Sequence, residues 1–158
     1  MSGAVQSRVE SAVNRALGVN AVVSILIGVI VTIMVQSSSI TTSLLVPLAG
    51  AGLLRLEQAF PVTLGANIGT TVTGFLAALA VTGVNATAGL QIALVHLLFN
   101  LSGTLLIYPI LAVRNIPLNI SRRVTRLAVR SRRLTLACVA LLFYGLPALA
   151  VLVSRILS

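Results

Sequence analysis

The feature that most constrains this chain is a run of 34 residues, Ala21 to Leu54, that carries no charge and has a polar cluster at its centre. As one straight helix it would be about 50 Å long, against a hydrocarbon core of about 30 Å. The cluster, Gln36-Ser37-Ser38-Ser39-Ile40-Thr41-Thr42-Ser43, would then sit at membrane depth. A hairpin removes the mismatch, with one arm to about Val35, a polar tip, and a return arm from about Ser39 that contains Pro47. Each arm of about 15 residues reaches roughly 22 Å, too short to span and long enough to pass the midplane. A soluble domain is excluded on related grounds. Of the 158 residues, 58% are hydrophobic and only 8% charged, which is more apolar surface than so small a chain can bury.

Composition also excludes chemistry. With no Asp, two Glu (Glu10, Glu57), one His (His96) and one Cys (Cys138), the chain cannot assemble a paired-carboxylate site, a three-ligand zinc site or a Ser-His-Asp triad. It therefore reads as a non-enzyme that needs no cofactor. All 11 basic residues are Arg, and seven of them fall between Arg114 and Arg133, between two long apolar stretches. That is the placing of a cytoplasmic loop under the positive-inside rule rather than of a nucleic-acid patch. The same arginines either bind anionic lipid headgroups or serve orientation alone, and the sequence leaves both open.

The expected fold is an all-α membrane protein. Residues 1–18 form an amphipathic interfacial helix, with Val5, Val9, Val13 and Leu17 on one face. Residues 19–157 form a single transmembrane unit: a re-entrant hairpin (19–54), a broken transmembrane helix (59–82), a helix kinked at Pro109 (88–113), an Arg-rich cytoplasmic loop (114–133) and a last helix (134–157). The break is expected at Gly65-Ala66-Asn67-Ile68-Gly69-Thr70-Thr71-Val72-Thr73. Counting arginines supports the hairpin. With 114–133 inside, a re-entrant segment puts Arg8, Arg15 and Arg55 inside as well and leaves only Arg155 outside. His96 and Asn100 share a helical face and are read as packing or hydrogen-bonding residues rather than a proton relay.

Two polar clusters in the middle of apolar segments carry the functional reading. Gly65 and Gly69 are also a GxxxG pair, and hydroxyls commonly bond back to their own helix. Two clusters in two segments nevertheless weigh toward binding, because interrupted helices at membrane depth line cavities. Half-helices beginning near Ser38 and Thr70 would aim N–H groups and the positive dipole end at an anion. The Ser37, Ser38 and Ser39 hydroxyls add donors, and oxygens of Gln36, Asn67, Thr70 and Thr73 suit Na⁺. Neither cluster contains Arg, Lys or His, so a buried anion would need co-bound cations to offset its desolvation.

The string Gln-Ser-Ser-Ser (36 to 39), Pro47, the stretch GAGLLRLEQAFPVTLGANIGTTVT (50 to 73) and LQIALVHLLFNLSGTLLIYP (90 to 109) resemble the second repeat of the type II sodium/phosphate cotransporters. The resemblance covers about Ala21 to Leu157. It implies sodium-dependent inorganic phosphate symport across the plasma (inner) membrane by a multi-pass protein, in which two inverted repeats share one midplane site. Carried over, Ser37, Ser38 and Ser39 are phosphate-binding, and Gln36, Ser37, Asn67, Thr70 and Thr73 are sodium-binding, sodium being the only metal. Val72 stands where many relatives carry Thr. QSSS and NIGTT each occur once, so the expected partner is a second repeat, with the chain a fragment or a heteromeric half rather than an antiparallel homodimer. Two alternatives stay open: a cation-coupled transporter of another oxyanion or a dicarboxylate, and a non-transporting membrane subunit.

Overall fold

The computed structural model describes residues 7, 8, 11 and 20–157. Every regular element among the described residues is helical, and the chain divides into two units, 1–114 and 115–158. Apart from those three positions, the helix expected over 1–18 lies outside the described residues.

In the first unit, α1 (Ala21–Val35) starts at Asn20, whose side chain accepts from the Val22 N–H at 3.0 Å. It ends where Gln36 turns left-handed, with φ 58°. Ser37 then caps α2 (Ser38–Gly50), its Oγ accepting from the Ile40 N–H at 3.3 Å. The two helices are 15 and 13 residues long, about 22 and 20 Å, and the turn between them falls inside the polar cluster. Next come α3 (Leu56–Leu79) and α4 (Ala86–Ile107), each long and apolar enough to cross a membrane.

The expected break in the second polar segment is absent: α3 runs without interruption through Gly65 to Thr73. The glycines serve close packing instead. A Cβ on Gly65 would collide with the Ile25 carbonyl, one on Gly69 would come within 2.8 Å of the Thr32 Cβ, and one on Gly28 would collide with the Val62 carbonyl. Gly28 on α1 and Gly65 and Gly69 on α3 therefore let two backbones meet, the small-residue packing that lipid-embedded helices favour. Contacts climb in the same direction on both helices, from Ile25 beside Gly65 to Thr32 beside Gly69, so α1 and α3 run parallel. Small or hydroxylic residues, Ser24, Thr32, Thr41, Ala66 and Thr71, are buried alongside Leu53, Leu54, Val62 and Ile68. Large apolar side chains such as Leu26, Ile30, Met34 and Phe99 point outward, an arrangement costly in water and natural in hydrocarbon.

The proline-containing turn is also sharper than a kink. α4 stops at Ile107, and 108–110 form a turn before α5 (Leu111–Arg130). At this end the Phe60 and Tyr108 rings stack 6.5 Å apart, with the Arg114 guanidinium 5.1 Å from the Tyr108 centroid. The expected loop over 114–133 is thus helical as far as Arg130. Its sequence explains why. Val113, Ile116, Ile120, Val124 and Leu127 recur at helical spacing on one side, and Asn115, Asn119, Arg122, Arg126 and Arg130 recur on the other. A charge-rich stretch read as loop is therefore an amphipathic helix.

In the second unit, Ser131 caps α6 (Arg132–Ala140), its Oγ accepting from the Leu134 N–H. A π-helical turn (Leu141–Gly145) leads into α7 (Leu146–Leu157). Pro147 accounts for the turn, since it has no N–H to donate and its ring would strike the carbonyl four residues back. Residues Arg133–Ile156 together make the third segment long and apolar enough to span.

Candidate functional site: the hairpin tip and the polar face of α3

The tip is held by hydroxyls that flank it one turn away on either side. Thr32 donates to Thr41 across the hairpin at 2.9 Å, and Thr41 donates to the Ser37 carbonyl at 3.1 Å. Both threonines are buried, Thr32 completely. The Gln36 N–H closes α1 on the Thr32 carbonyl at 2.6 Å. Sequence reasoning missed Thr32 and gave Thr41, named in the cluster, no role of its own; their signal is a hydroxyl four residues before Gln36 and another four after Ser37.

What this framework presents is a helix N-terminus with spare donors. The N–H groups of Ser38 and Ser39 precede any intrahelical carbonyl partner. Ser37 Oγ accepts from Ile40, which leaves its O–H to donate, and among the described residues nothing hydrogen-bonds the Ser38 or Ser39 hydroxyls. Gln36 occupies the left-handed position usually given to Gly, a conformation costing a non-glycine residue about 1 kcal/mol.

The α3 cluster behaves differently. Thr70 donates to the Ala66 carbonyl at 3.2 Å, Thr73 to the Thr70 carbonyl at 2.8 Å, and buried Thr71 to the Ile68 carbonyl at 2.8 Å. Since the helix is unbroken, no N-terminus opens near Thr70 to receive an anion. Hydroxyls whose protons are already engaged offer only lone pairs outward, which suits a cation and not an anion.

Parallel packing relates the two clusters. Thr32 lies against Gly69, so one turn on, Gln36 and Ser37 come level with Thr73. Asn67 is not part of this grouping. It projects about 150° around α3 from the α1-facing stripe, into a cleft against α4 shared with Leu64, Phe99, Asn100, Gly103, Thr104 and Ile107. The Asn100 amide donates to the His96 carbonyl at 3.1 Å, so the pairing of that helical face runs through backbone rather than the imidazole.

Fold and site together define, among the described residues, an all-helical arrangement with three segments long and apolar enough to span a bilayer and an uncharged polar tip between two shorter helices. Residues 1–150 match the sequence profile of the Na+/Pi-cotransporter family, and the chain belongs to that family, one of transporters rather than enzymes. It is 44% identical over 124 residues to sodium-dependent phosphate transport protein 2B of Homo sapiens, covering 78% of this chain and 18% of that protein. Against the 2B protein of Rattus norvegicus it is 47% identical over 109 residues (69% and 16%), and against protein 2A of Ovis aries 40% over 126 (80% and 20%). The chain thus spans about a fifth of the length of these relatives. No solved structure matches it.

Proposed function

We propose that this chain contributes one half of the site of a sodium-dependent phosphate symporter in the plasma (inner) membrane. Phosphate is held by the Ser37, Ser38 and Ser39 hydroxyls and by the first N–H groups of α2. Sodium sits on oxygens of Gln36, Ser37, Thr70 and Thr73; Asn67, which the resemblance also gives as sodium-binding, faces the α4 cleft on the other side of α3 and is not a ligand of that ion. The α1–α2 hairpin is re-entrant, and a second, inverted repeat supplies the other half. The observation that carries this reading is the division of hydroxyl protons: free at the tip, engaged on α3. An anion needs donors and a cation needs lone pairs, and the two sets come level across the α1–α3 contact.

The absence of charge between Ala21 and Leu54 gives the coupling its physical basis. Phosphate at the tip meets dipoles alone, so sodium on neighbouring neutral oxygens offsets the cost of its desolvation. Alternating access then follows from movement of the hairpin-bearing unit against the rest. The Arg122, Arg126 and Arg130 face of α5 meets anionic lipid headgroups at the bilayer surface.

Uptake of radiolabelled phosphate into proteoliposomes tests the proposal, with this chain alone and with a second QSSS-bearing repeat. Sodium-dependent uptake is expected with both halves present. Its absence with well-folded protein would remove the symporter reading in favour of a non-transporting subunit. Sulfate or a dicarboxylate outcompeting phosphate would reassign the substrate.

A further inference from the structure

The cleft between α3 and α4 holds polar groups that the tip does not use. Asn67 lies at the middle of α3 (Leu56–Leu79), the depth at which an unsatisfied polar side chain costs most in a membrane. The two helices run antiparallel: Phe60 stacks on Tyr108, so two turns along α3 Asn67 comes level with Asn100, two turns back along α4. Amides facing each other at this depth ordinarily hydrogen-bond across the interface. Here they do not. Asn100, which lines the cleft, directs its N–H₂ to the His96 carbonyl of its own helix, and among the described residues its Oδ1 accepts no hydrogen bond. Among the described residues nothing hydrogen-bonds the side chains of Asn67 or Thr104.

The chemistry left open is therefore two amide oxygens and one hydroxyl oxygen around a space of about 190 Å³, several times the roughly 30 Å³ that one water occupies in the liquid. Among the described residues no cluster of His, Cys, Asp and Glu could hold a metal. A divalent ion or transition metal would lack the anionic, imidazole or thiolate ligands it favours. Neutral oxygens fit a small hard monovalent cation, and Gly103 beside Asn100 keeps the α4 wall of the cleft free of a further side chain.

We propose that the side-chain oxygens of Asn67, Asn100 and Thr104 form a sodium subsite in the α3–α4 cleft, separate from the hairpin tip. The proposal rests on the sodium-coupled reading above and adds to it a place and two residues, Asn100 and Thr104. A cation here lies across α3 from the tip, so its binding ties α4 to the helix that carries Thr70 and Thr73.

The test is thermal unfolding of the purified chain in detergent, followed by circular dichroism, in sodium chloride against choline chloride at equal ionic strength. In a Thr73→Val background, which weakens the tip site, sodium is expected still to raise the melting temperature. Adding Asn100→Leu removes that rise, whereas Asn100→Asp keeps it and reaches half-effect at a lower sodium concentration. Should Asn100→Leu fail to fold, the isosteric Thr104→Val is expected to raise the half-effect sodium concentration at least fivefold. A sodium rise of equal size with and without Asn100→Leu would overturn the proposal, as would equal stabilisation by choline. The tip assignment fails on a different result, unaltered phosphate uptake by Ser38→Ala, which leaves the Asn100 comparison intact.

Discussion

The two polar clusters look alike along the chain and become opposites in the fold. Around Gln36 to Ser39 the helix stops, a non-glycine residue takes a left-handed turn, and donors remain open. Around Gly65 to Thr73 the helix continues, the glycines admit a neighbouring backbone, and the threonine protons are engaged. Glycine and threonine in an apolar segment thus mark either a break or a contact. What decides is whether a parallel helix carries small residues at the matching level, as α1 does with Gly28. The difference also divides the chemistry, donors on one side and lone pairs on the other.

Enlarging Gly65 strikes hardest at the contact half of this comparison. Gly65→Leu drives a side chain into the Ile25 backbone, which cannot rotate away. About 3 kcal/mol or more of stability is expected to be lost, read as an earlier midpoint in denaturant titration. Gly74 on the same helix has open space where a Cβ would be. Gly74→Ala is expected to be neutral or to stabilise by up to about 1 kcal/mol. Equal damage at both positions would mean that α3 needs its glycines for flexibility and that the contact reading is wrong.

The division of hydroxyls predicts a split in transport kinetics. Ser38→Ala removes a donor to a charged oxygen, worth about 1.5–3 kcal/mol. It should therefore raise the phosphate KM by roughly tenfold or more, with the sodium dependence little changed. Thr73→Val should do the converse, raising the sodium requirement while phosphate KM at saturating sodium holds. Identical profiles from the two variants would erase the distinction between the clusters. A smaller effect is expected at Thr32→Val, which leaves Thr41 without its cross-hairpin donor. About 1–2 kcal/mol of stability should go, together with faster amide exchange at 36–41.

Much of this was readable beforehand, and the exceptions have physical causes. The uncharged run, its polar centre and the arm lengths follow from hydropathy and length, so the turn at Gln36 and Ser37 could be placed. Continuity of α3 could not, because it depends on Gly28, some forty residues earlier, presenting a matching gap. The helix over Leu111–Arg130 was hidden because arginine density reads as loop, although the spacing of Ile116, Ile120, Val124 and Leu127 is helical. His96 and Asn100 were legible as a shared face; Thr104, one turn further on, was not singled out. That Asn67, Asn100 and Thr104 line one cleft rests on the register between α3 and α4, which no local pattern encodes.

The subtlest test concerns Gln36, where stability and function should move in opposite directions. Its backbone is left-handed, with φ 58°, and Gly would relieve that strain. Gln36→Gly is therefore expected to stabilise the hairpin by up to about 1 kcal/mol. If the amide oxygen holds sodium, the same change should weaken sodium dependence of uptake, and Gln36→Asn, shorter by one methylene, should fall between. A variant that is both more stable and fully sodium-dependent would show that the left-handed turn serves only the geometry of the tip. A more stable and less sodium-responsive one would tie that strain to the cation, and so separate the tip from the α3 cluster by what each gives up in stability.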